Sequence, residues 1–516
     1  MSKRLFKSTL LVSATVLMSR ILGFVRDMLI ARVFGVDLAT DAFFVAFKIP
    51  NFLRRLFTEG AFTQAFLPIY EDYKAHGSQQ AVKLFVDKTA GTLALVLLLL
   101  TLLGIVIAPL LISLLAPGFS WQGPQHLLAV QLLQICLPYL LFIGLVAVAG
   151  TLMNAHGQFA VPSLTPALLN VVMIIATIWW APLFKEPIHA LAWGVFAAGM
   201  VQLLFQLPAL IRLGLVPHFR IDFNDSGVKR LFKQLLPTIF SVSVTQLNLL
   251  LDTLVASLLA AGSVSWLYYS ERLVDFPMGV IGIALSTVIL PHLAKNHAEQ
   301  ASADFSAALD WGLRLVILVG MPATIGLFLL AEPMLSTLFQ YHEFSVKDVQ
   351  LSGQSLKAYA IGLLGYLLVK ILVAGFTSRQ DLKTPVRYGI YAMIVSLALN
   401  ILAIPLAHAG LALATSLGAL FNAGLLIKKL MTEQIYRPEK GWLLFLLRIM
   451  LASLAMSAVL YFYVDVSWWY EQSFWQRVSQ LFIWILIAIV CYLMVLLLTG
   501  LRVAHLMLVA LKKTGG

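Results

Sequence analysis

Three arginines, Arg20, Arg26 and Arg32, recur every six residues in the otherwise apolar stretch SRILGFVRDMLIARVFG, which opens on Ser19 and places Asp27 beside the second of them. A guanidinium is charged at every accessible pH, and each one costs roughly 2.5–3.5 kcal/mol or more at a bilayer centre. Its planar fork grips two oxygens of a phosphate or carboxylate at once, which a lysine ammonium cannot do. A chain that keeps such groups among membrane-grade side chains has an anion to meet, and a phosphate-bearing headgroup is the natural guest.

The pattern continues with Lys48, Arg54 and Arg55 in FKIPNFLRRLF, and with Arg272 between Glu271 and Asp275 in YYSERLVDFP. Of the remaining basic residues in apolar runs, Arg314 follows Asp310 by one helical turn, while Lys357 and Lys370 have stems long enough to snorkel. Between residues 20 and 59 six bases face four acids, Asp27, Asp37, Asp41 and Glu59, so pairing alone leaves a surplus of two positive charges. At 100° per residue Arg20 and Asp27 share a helix face and Arg26 points about 120° away. The first helix is therefore either surrounded by protein and cavity or broken near Gly23, and both options place these residues around an internal chamber. The competing reading is purely structural: intramembrane ion pairs with Asp27, Asp41, Glu59, Glu271 or Asp275. It is strongest for Arg272, where acids outnumber the base.

The elements that must position these groups follow from composition. Of 516 residues 60% are hydrophobic and only 12% charged, against roughly 25% charged in a soluble protein. Uncharged runs such as 90–116 and 478–499 exceed the roughly 20 residues that span about 30 Å of hydrocarbon, and they lack barrel-strand alternation. The chain reads as an all-α polytopic membrane protein of fourteen helices, near 8–33, 39–68, 89–116, 128–154, 161–183, 188–211, 234–261, 265–292, 307–331, 354–377, 385–406, 409–427, 442–464 and 477–500. Lys and Arg crowd every second connection, and Lys185, Lys347 and Arg477 alone occupy the others. The bias predicts cytoplasmic termini and accounts for most of the net charge of +12. That charge therefore calls for anionic lipid headgroups rather than nucleic acid. The basic, then apolar N-terminus is read as a retained first helix, since no small-residue cleavage site follows it. Cys136 and Cys491 both lie in apolar runs and read as buried hydrophobes.

KIPNFL and AFLPIYEDY in the second helix parallel DFPMGV and VILPHLAKN in the eighth. This weak repeat suggests two lobes of six helices, 1–225 and 226–432, with 433–516 holding the last pair and a tail.

SRILGFVRDMLIARVFG, TDAFFVAFKIPNFLRRLFTEGAF, GSVSWLYYSERL and FTSRQDLKTPV together resemble the bacterial MurJ (MviN) lipid II flippase family, over essentially the whole length. The resemblance implies the fold of the multidrug/oligosaccharidyl-lipid/polysaccharide exporter superfamily: two pseudo-symmetric six-helix lobes around a central cationic cavity, plus two C-terminal helices forming a groove for the lipid tail. It implies alternating access in the inner membrane, carrying lipid II, an undecaprenyl diphosphate-linked disaccharide pentapeptide, for cell wall synthesis, with that machinery as a partner. By matching position Arg20, Arg26, Arg54 and Arg272 would bind substrate, and Ser19, Asp27 and Asp41 would support the cavity and its gating, with Lys48, Glu59, Glu271 and Asp275 beside them. The family often has Asp before the eighth-helix arginine and Glu after it, where this chain has Glu271 and Asp275.

No cofactor is implied, and the driver is either the membrane potential or a monovalent cation. Asp252, in the otherwise uncharged QLNLLLDTLVASLL, reads either as a cation ligand with Asn400 and Thr415 or as a hydrogen-bonded structural residue. Two rivals remain. A drug exporter of the same superfamily would more often set acids or aromatics against a cationic drug. A membrane enzyme acting on lipid diphosphates would need an acidic metal motif or a nucleophile, and the chain has neither Asp-x-Asp nor HExxH.

Overall fold

The computed structural model describes residues 3–56, 62–298 and 302–501, and among these every regular element is a helix. Among the described residues, ten helical segments are long and apolar enough to cross a bilayer. The chain divides into two compact units, Met1–Ser265 and Trp266–Gly516.

The first unit holds α1 (Lys3–Phe34), α2 (Leu38–Leu56), α3 (Phe62–His76), α4 (Gln79–Val106), α5 (Ala108–Leu115), α6 (Pro124–Cys136), α7 (Tyr139–Ala155), α8 (Ala160–Ile175), α9 (His189–Leu213) and α10 (Ser226–Ser257). Helix α1 packs along α8, α8 and α7 both pack on α9, and α2 lies against α6. Its core is built on an aromatic ladder in which Phe62, Phe66 and Tyr70 of α3 stack in succession, one turn apart, with Phe85 of α4 against Phe66.

The second unit holds α11 (Ser263–Ala298), whose first residues lie at the boundary, then α12 (Ser302–Leu329), α13 (Ala331–Phe339), α14 (Val346–Thr377), α15 (Lys383–Leu402), α16 (Ala407–Thr432), α17 (Trp442–Tyr463), α18 (Val466–Glu471) and α19 (Phe474–Leu498). Helix α14 is packed by α12 and α16, and α17 pairs with α19. The α17–α19 core joins α12 through Leu318, whose carbonyl accepts the Tyr492 hydroxyl at 2.8 Å.

Several boundaries differ from the sequence expectation, each for a local reason. The segment expected as one helix over 39–68 is helical where it is described, as α2 up to Leu56 and α3 from Phe62, and residues 57–61 between them lie outside the described residues. The stretch 128–154 divides at Leu137–Pro138, where proline has no N–H to continue the ladder. Helix α10 begins at Ser226, eight residues before the expected 234, because Asp225 caps it, accepting the amides of Gly227 and Val228 at 2.9 and 3.2 Å. Helix α1 does not break near Gly23: it is continuous there, and Gly23 faces the Asn170 side chain of α8.

Candidate functional site

In the first unit, Arg26 and Asp27 are buried on α1, at 6% and 1% exposure. Arg26 Nε and Nη2 both donate to Asp27 Oδ1, at 2.9 and 2.7 Å. Neighbouring helix positions are 100° apart, so face counting alone separates the two groups, but the long arginine stem folds back across that angle. The third contact comes from α8, where Asn170 Oδ1 accepts Arg26 Nη1 at 3.0 Å and Asn170 Nδ2 donates to the Ser19 carbonyl at 2.9 Å. One buried amide thus ties the guanidinium to the backbone about two turns earlier. Asn170 was not singled out from the sequence; an asparagine inside the apolar AVPSLTPALLNVVMII was the available signal.

Arg20, on the same helix, is exposed and Lys48 on α2 is half-buried. Arg54 is held near the end of α2 by Asn51 Oδ1, which accepts its Nε and Nη2 at 3.2 and 2.9 Å. It lines an open cavity of about 310 Å³ whose walls come from α1, α2, α3, α7, α8 and α9. The carboxylates nearby serve backbone ends. Asp37 caps α2 through the Thr40 amide and hydroxyl, at 2.7 and 2.8 Å. Asp41 caps α11, taking the Gly262 amide on Oδ2 at 2.6 Å and the Ser265 amide and hydroxyl on Oδ1 at 2.9 and 2.6 Å. The ion-pair reading of Asp41 gives way to a helix cap, because three donors at a helix N-terminus converge on it. Glu59 lies outside the described residues.

In the second unit, Arg272 is half-buried on α11, with Asp275 at 3.7 Å, the Tyr268 hydroxyl at 3.0 Å and the Tyr268 ring 4.7 Å from its guanidinium carbon. Glu271 beside it is half-buried. Two lysines read as snorkelling are anchored instead: Lys357 bonds Glu332 at 2.5 Å and Lys370 donates to the Met278 carbonyl at 3.2 Å. Arg477, assigned to a loop, is 5% exposed and donates to the carbonyls of Ser336, Gln340 and Tyr470. Arg314 pairs with Asp310 at 2.7 Å, as its spacing suggested.

The candidate cation ligands Asp252, Asn400 and Thr415 stand on α10, α15 and α16. Asp252 is half-buried on α10, the Thr415 hydroxyl donates to the Leu411 carbonyl at 3.0 Å, and Asn400, at 1% exposure, has no hydrogen-bond partner on either side-chain amide atom. Among the described residues no cluster of three or more His, Cys, Asp or Glu side chains is placed to hold a metal.

The arrangement suits an anion carrier: an exposed Arg20, an Arg54 on a cavity wall, and an Arg26 whose charge is buried in company with an acid. Comparison with known proteins points the same way. A family model described as lipid II flippase MurJ matches residues 30–479. The chain is 43% identical over 514 residues to a probable lipid II flippase MurJ of Vibrio cholerae, covering 98% of each chain. It is 42% identical over 505 residues to the Haemophilus influenzae counterpart, covering 95% of this chain and 99% of that one. Among solved structures it resembles one described as lipid II flippase MurJ in an inward closed conformation, with a TM-score of 0.80 at 27% identity over 94% of this chain and 98% of that one. It shares the fold of an inward-facing multidrug transporter of the MATE family, with a TM-score of 0.69 at 13% identity over 83% of this chain and 98% of that one. The chain belongs to the lipid II flippase MurJ family.

Proposed function

We propose that the protein is a transporter that flips lipid II across the inner membrane, moving the headgroup to the periplasmic face while the polyprenyl tail stays in lipid. The observation that carries this reading is the set of arginines on apolar helices, with Arg54 on a cavity wall and Arg26 fixed by Asp27 and Asn170. Arg20, Arg26, Arg54 and Arg272 offset the loss of hydration of the diphosphate, a doubly acidic linkage matched by fork-shaped donors. Arg26 joins them by exchanging its bond to Asp27 for one to phosphate.

In this reading fourteen helices span the bilayer, residues 1–225 and 226–432 form two six-helix lobes around a cationic cavity, and both termini are cytoplasmic. Residues 433–516 supply the groove for the tail. The outward faces of α17 and α19, with Leu447, Leu454, Phe482 and Leu493 exposed, are apolar enough for that role. Asp41, through its cap on α11, supports gating. An anion leaving a negative cytoplasm gains roughly 2.3 kcal/mol per charge per 100 mV, so the membrane potential can drive the step. A monovalent cation acting through Asp252, Asn400 and Thr415 is the second route, favoured by the unpartnered Asn400 amide.

Proteoliposomes containing fluorescent lipid II test the function. The expected result is protein-dependent exchange of intact lipid between leaflets, read by an impermeant quencher. Cleaved lipid, or no exchange by folded protein, contradicts it.

A further inference from the structure

A second open cavity, of about 930 Å³, lies in the first unit at the end that carries its Lys- and Arg-rich connections. Its wall is made by the end of α3, the start of α4, the ends of α7 and α9 and the segment that follows α9, and it shares no residue with the cavity at Arg54. Three bases on that wall, Lys74, Lys83 and Arg220, face a single acid, Asp87. Asp87 is 5% exposed and already engaged: its Oδ1 accepts Lys83 Nζ at 2.7 Å and the His218 amide at 2.8 Å. Lys74 donates to the Ala155 carbonyl at 3.1 Å and lies 3.5 Å from Glu71, a carboxylate off the wall, so positive charge stays in excess even with Glu71 counted. Arg220 is placed by its backbone, whose amide donates to the Asp87 carbonyl at 3.3 Å, and its exposed guanidinium makes no hydrogen bond or ion pair among the described residues.

Basic connections are what topology dictates on one side of a membrane, and exposed lysines alone make only a solvated face. Tyr70 is the observation that topology does not explain. It is 1% exposed within the aromatic stack of α3, it lines the cavity, and its hydroxyl has no hydrogen-bond partner among the described residues. A phenol keeps its proton at neutral pH, so whatever fills the cavity must accept from it. Surplus positive charge beside a buried donor calls for an anion rich in acceptor oxygens. Val82, Leu213 and Leu215 complete the wall with apolar surface, and the volume lies at the upper end of the roughly 300–1,000 Å³ usual for small-molecule pockets, which suits an anion with an organic body. We infer that this cavity binds a phosphate ester, with Arg220 forking onto two phosphate oxygens, Lys74 supplying a second charge and the Tyr70 hydroxyl donating to the same group. A soluble phosphate ester and the headgroup of an anionic lipid share this chemistry. The site is independent of what the Arg54 cavity carries.

The test titrates the full-length protein in detergent with adenosine diphosphate against adenosine by calorimetry, and with phosphatidic acid against phosphatidylcholine by native mass spectrometry. Wild type, Arg220→Ala, Tyr70→Phe, Lys229→Ala and Arg54→Ala are compared, with thermal unfolding as the folding control. Wild type is expected to bind a probe with net negative charge saturably and to bind its counterpart without that charge far more weakly; the pair that responds names the source. Arg220→Ala should weaken binding about tenfold and the near-isosteric Tyr70→Phe about threefold. Lys229→Ala, an exposed base at the same end but off the wall, and Arg54→Ala, on the other cavity, should leave it unchanged. Folded wild type that binds neither anionic probe, equal binding of the counterparts, or full affinity in both Arg220→Ala and Tyr70→Phe overturns the site. The same loss in Lys229→Ala as in Arg220→Ala overturns it as well, and so does a loss in Arg54→Ala that Arg220→Ala does not show.

Discussion

Asp41 and Ser265, 224 positions apart, are joined twice: one carboxylate oxygen of Asp41 accepts both the amide and the hydroxyl of Ser265, at 2.9 and 2.6 Å. The other oxygen takes the Gly262 amide. All three donors are otherwise buried helix-end groups, and an unpaired buried donor costs about 1–3 kcal/mol. Asp41→Ala should therefore lose about 2 kcal/mol or more of stability, with Asp41→Asn intermediate because it keeps one carbonyl acceptor. Adding Ser265→Ala to Asp41→Ala should cost less than Ser265→Ala alone. Thermal unfolding of the purified variants measures both effects, and additive losses would separate the two residues.

Asn170 offers a narrower test of how Arg26 is held. Replacing it by Leu removes the acceptor for Arg26 Nη1 and the donor to the Ser19 carbonyl together. Hydrogen bonds to charged groups are worth about 1.5–3 kcal/mol, so lipid II exchange should drop about tenfold or more. Asn170→Asp keeps the acceptor and adds a charge, which should hold Arg26 more tightly and slow release. Exchange at the wild-type rate in a folded Asn170→Leu protein would remove this residue from the account.

These two residues show where sequence reasoning ended. Helical character, the membrane solvent and the excess of arginine in α1 and α2 all follow from composition and spacing, and so does the Asp310–Arg314 pair at one helical turn. What was hidden was contact across long separations: Asn170 is 144 positions from Arg26, and the cap that Asp41 provides lies more than two hundred positions away. Lys357 and Arg477 were misread for the same reason. Their partners, Glu332 and the carbonyls of Ser336 and Gln340, belong to other helices or their ends, which no periodicity reveals.

Asp310 anchors the segment leading into α17. It accepts from Arg314, the Tyr436 hydroxyl, the Glu439 amide and the Trp442 indole, at 2.7, 2.7, 3.2 and 2.6 Å. Breaking a buried pair by removing one partner costs about 3–5 kcal/mol, so Asp310→Ala should be among the most destabilising single changes in the second unit. Asp310→Asn, which retains an acceptor, should lose less. Equal melting temperatures for Asp310→Ala and wild type would contradict the anchor.

The connection between α9 and α10 is strapped to α4. Lys88 bonds Asp222 and Asp225 at 2.8 and 2.9 Å, and a Cβ at Gly91 would fall 2.4 Å from the Arg220 backbone. A helix interior normally gains about 1 kcal/mol from Gly→Ala, but Gly91→Ala should reverse that sign by displacing the strap. The Lys88 hydrogen bond holds the Asp222 carboxyl below its ordinary range; at Asp225 burial acts upward and is outweighed by Lys88 and the helix-end amides. The carboxylates thus contribute fully above the ordinary aspartate value of about 3.9, and their contribution is lost as pH falls through the lowered values. Hydrogen exchange over residues 217–222, corrected for intrinsic rate, should quicken in Gly91→Ala and Lys88→Ala, and in wild type only under strongly acid conditions.

The central claim is that guanidinium groups carry a diphosphate through oil, and Arg26 is its most exacting test. Wild type, Arg26→Lys and Arg26→Ala should be reconstituted at matched, folded amounts, and leaflet exchange of labelled lipid II followed under an imposed inside-negative potential. Wild type is expected to exchange, Arg26→Lys to be impaired because it lacks the fork, and Arg26→Ala to be inactive. Exchange by Arg26→Ala at the wild-type rate would contradict the account.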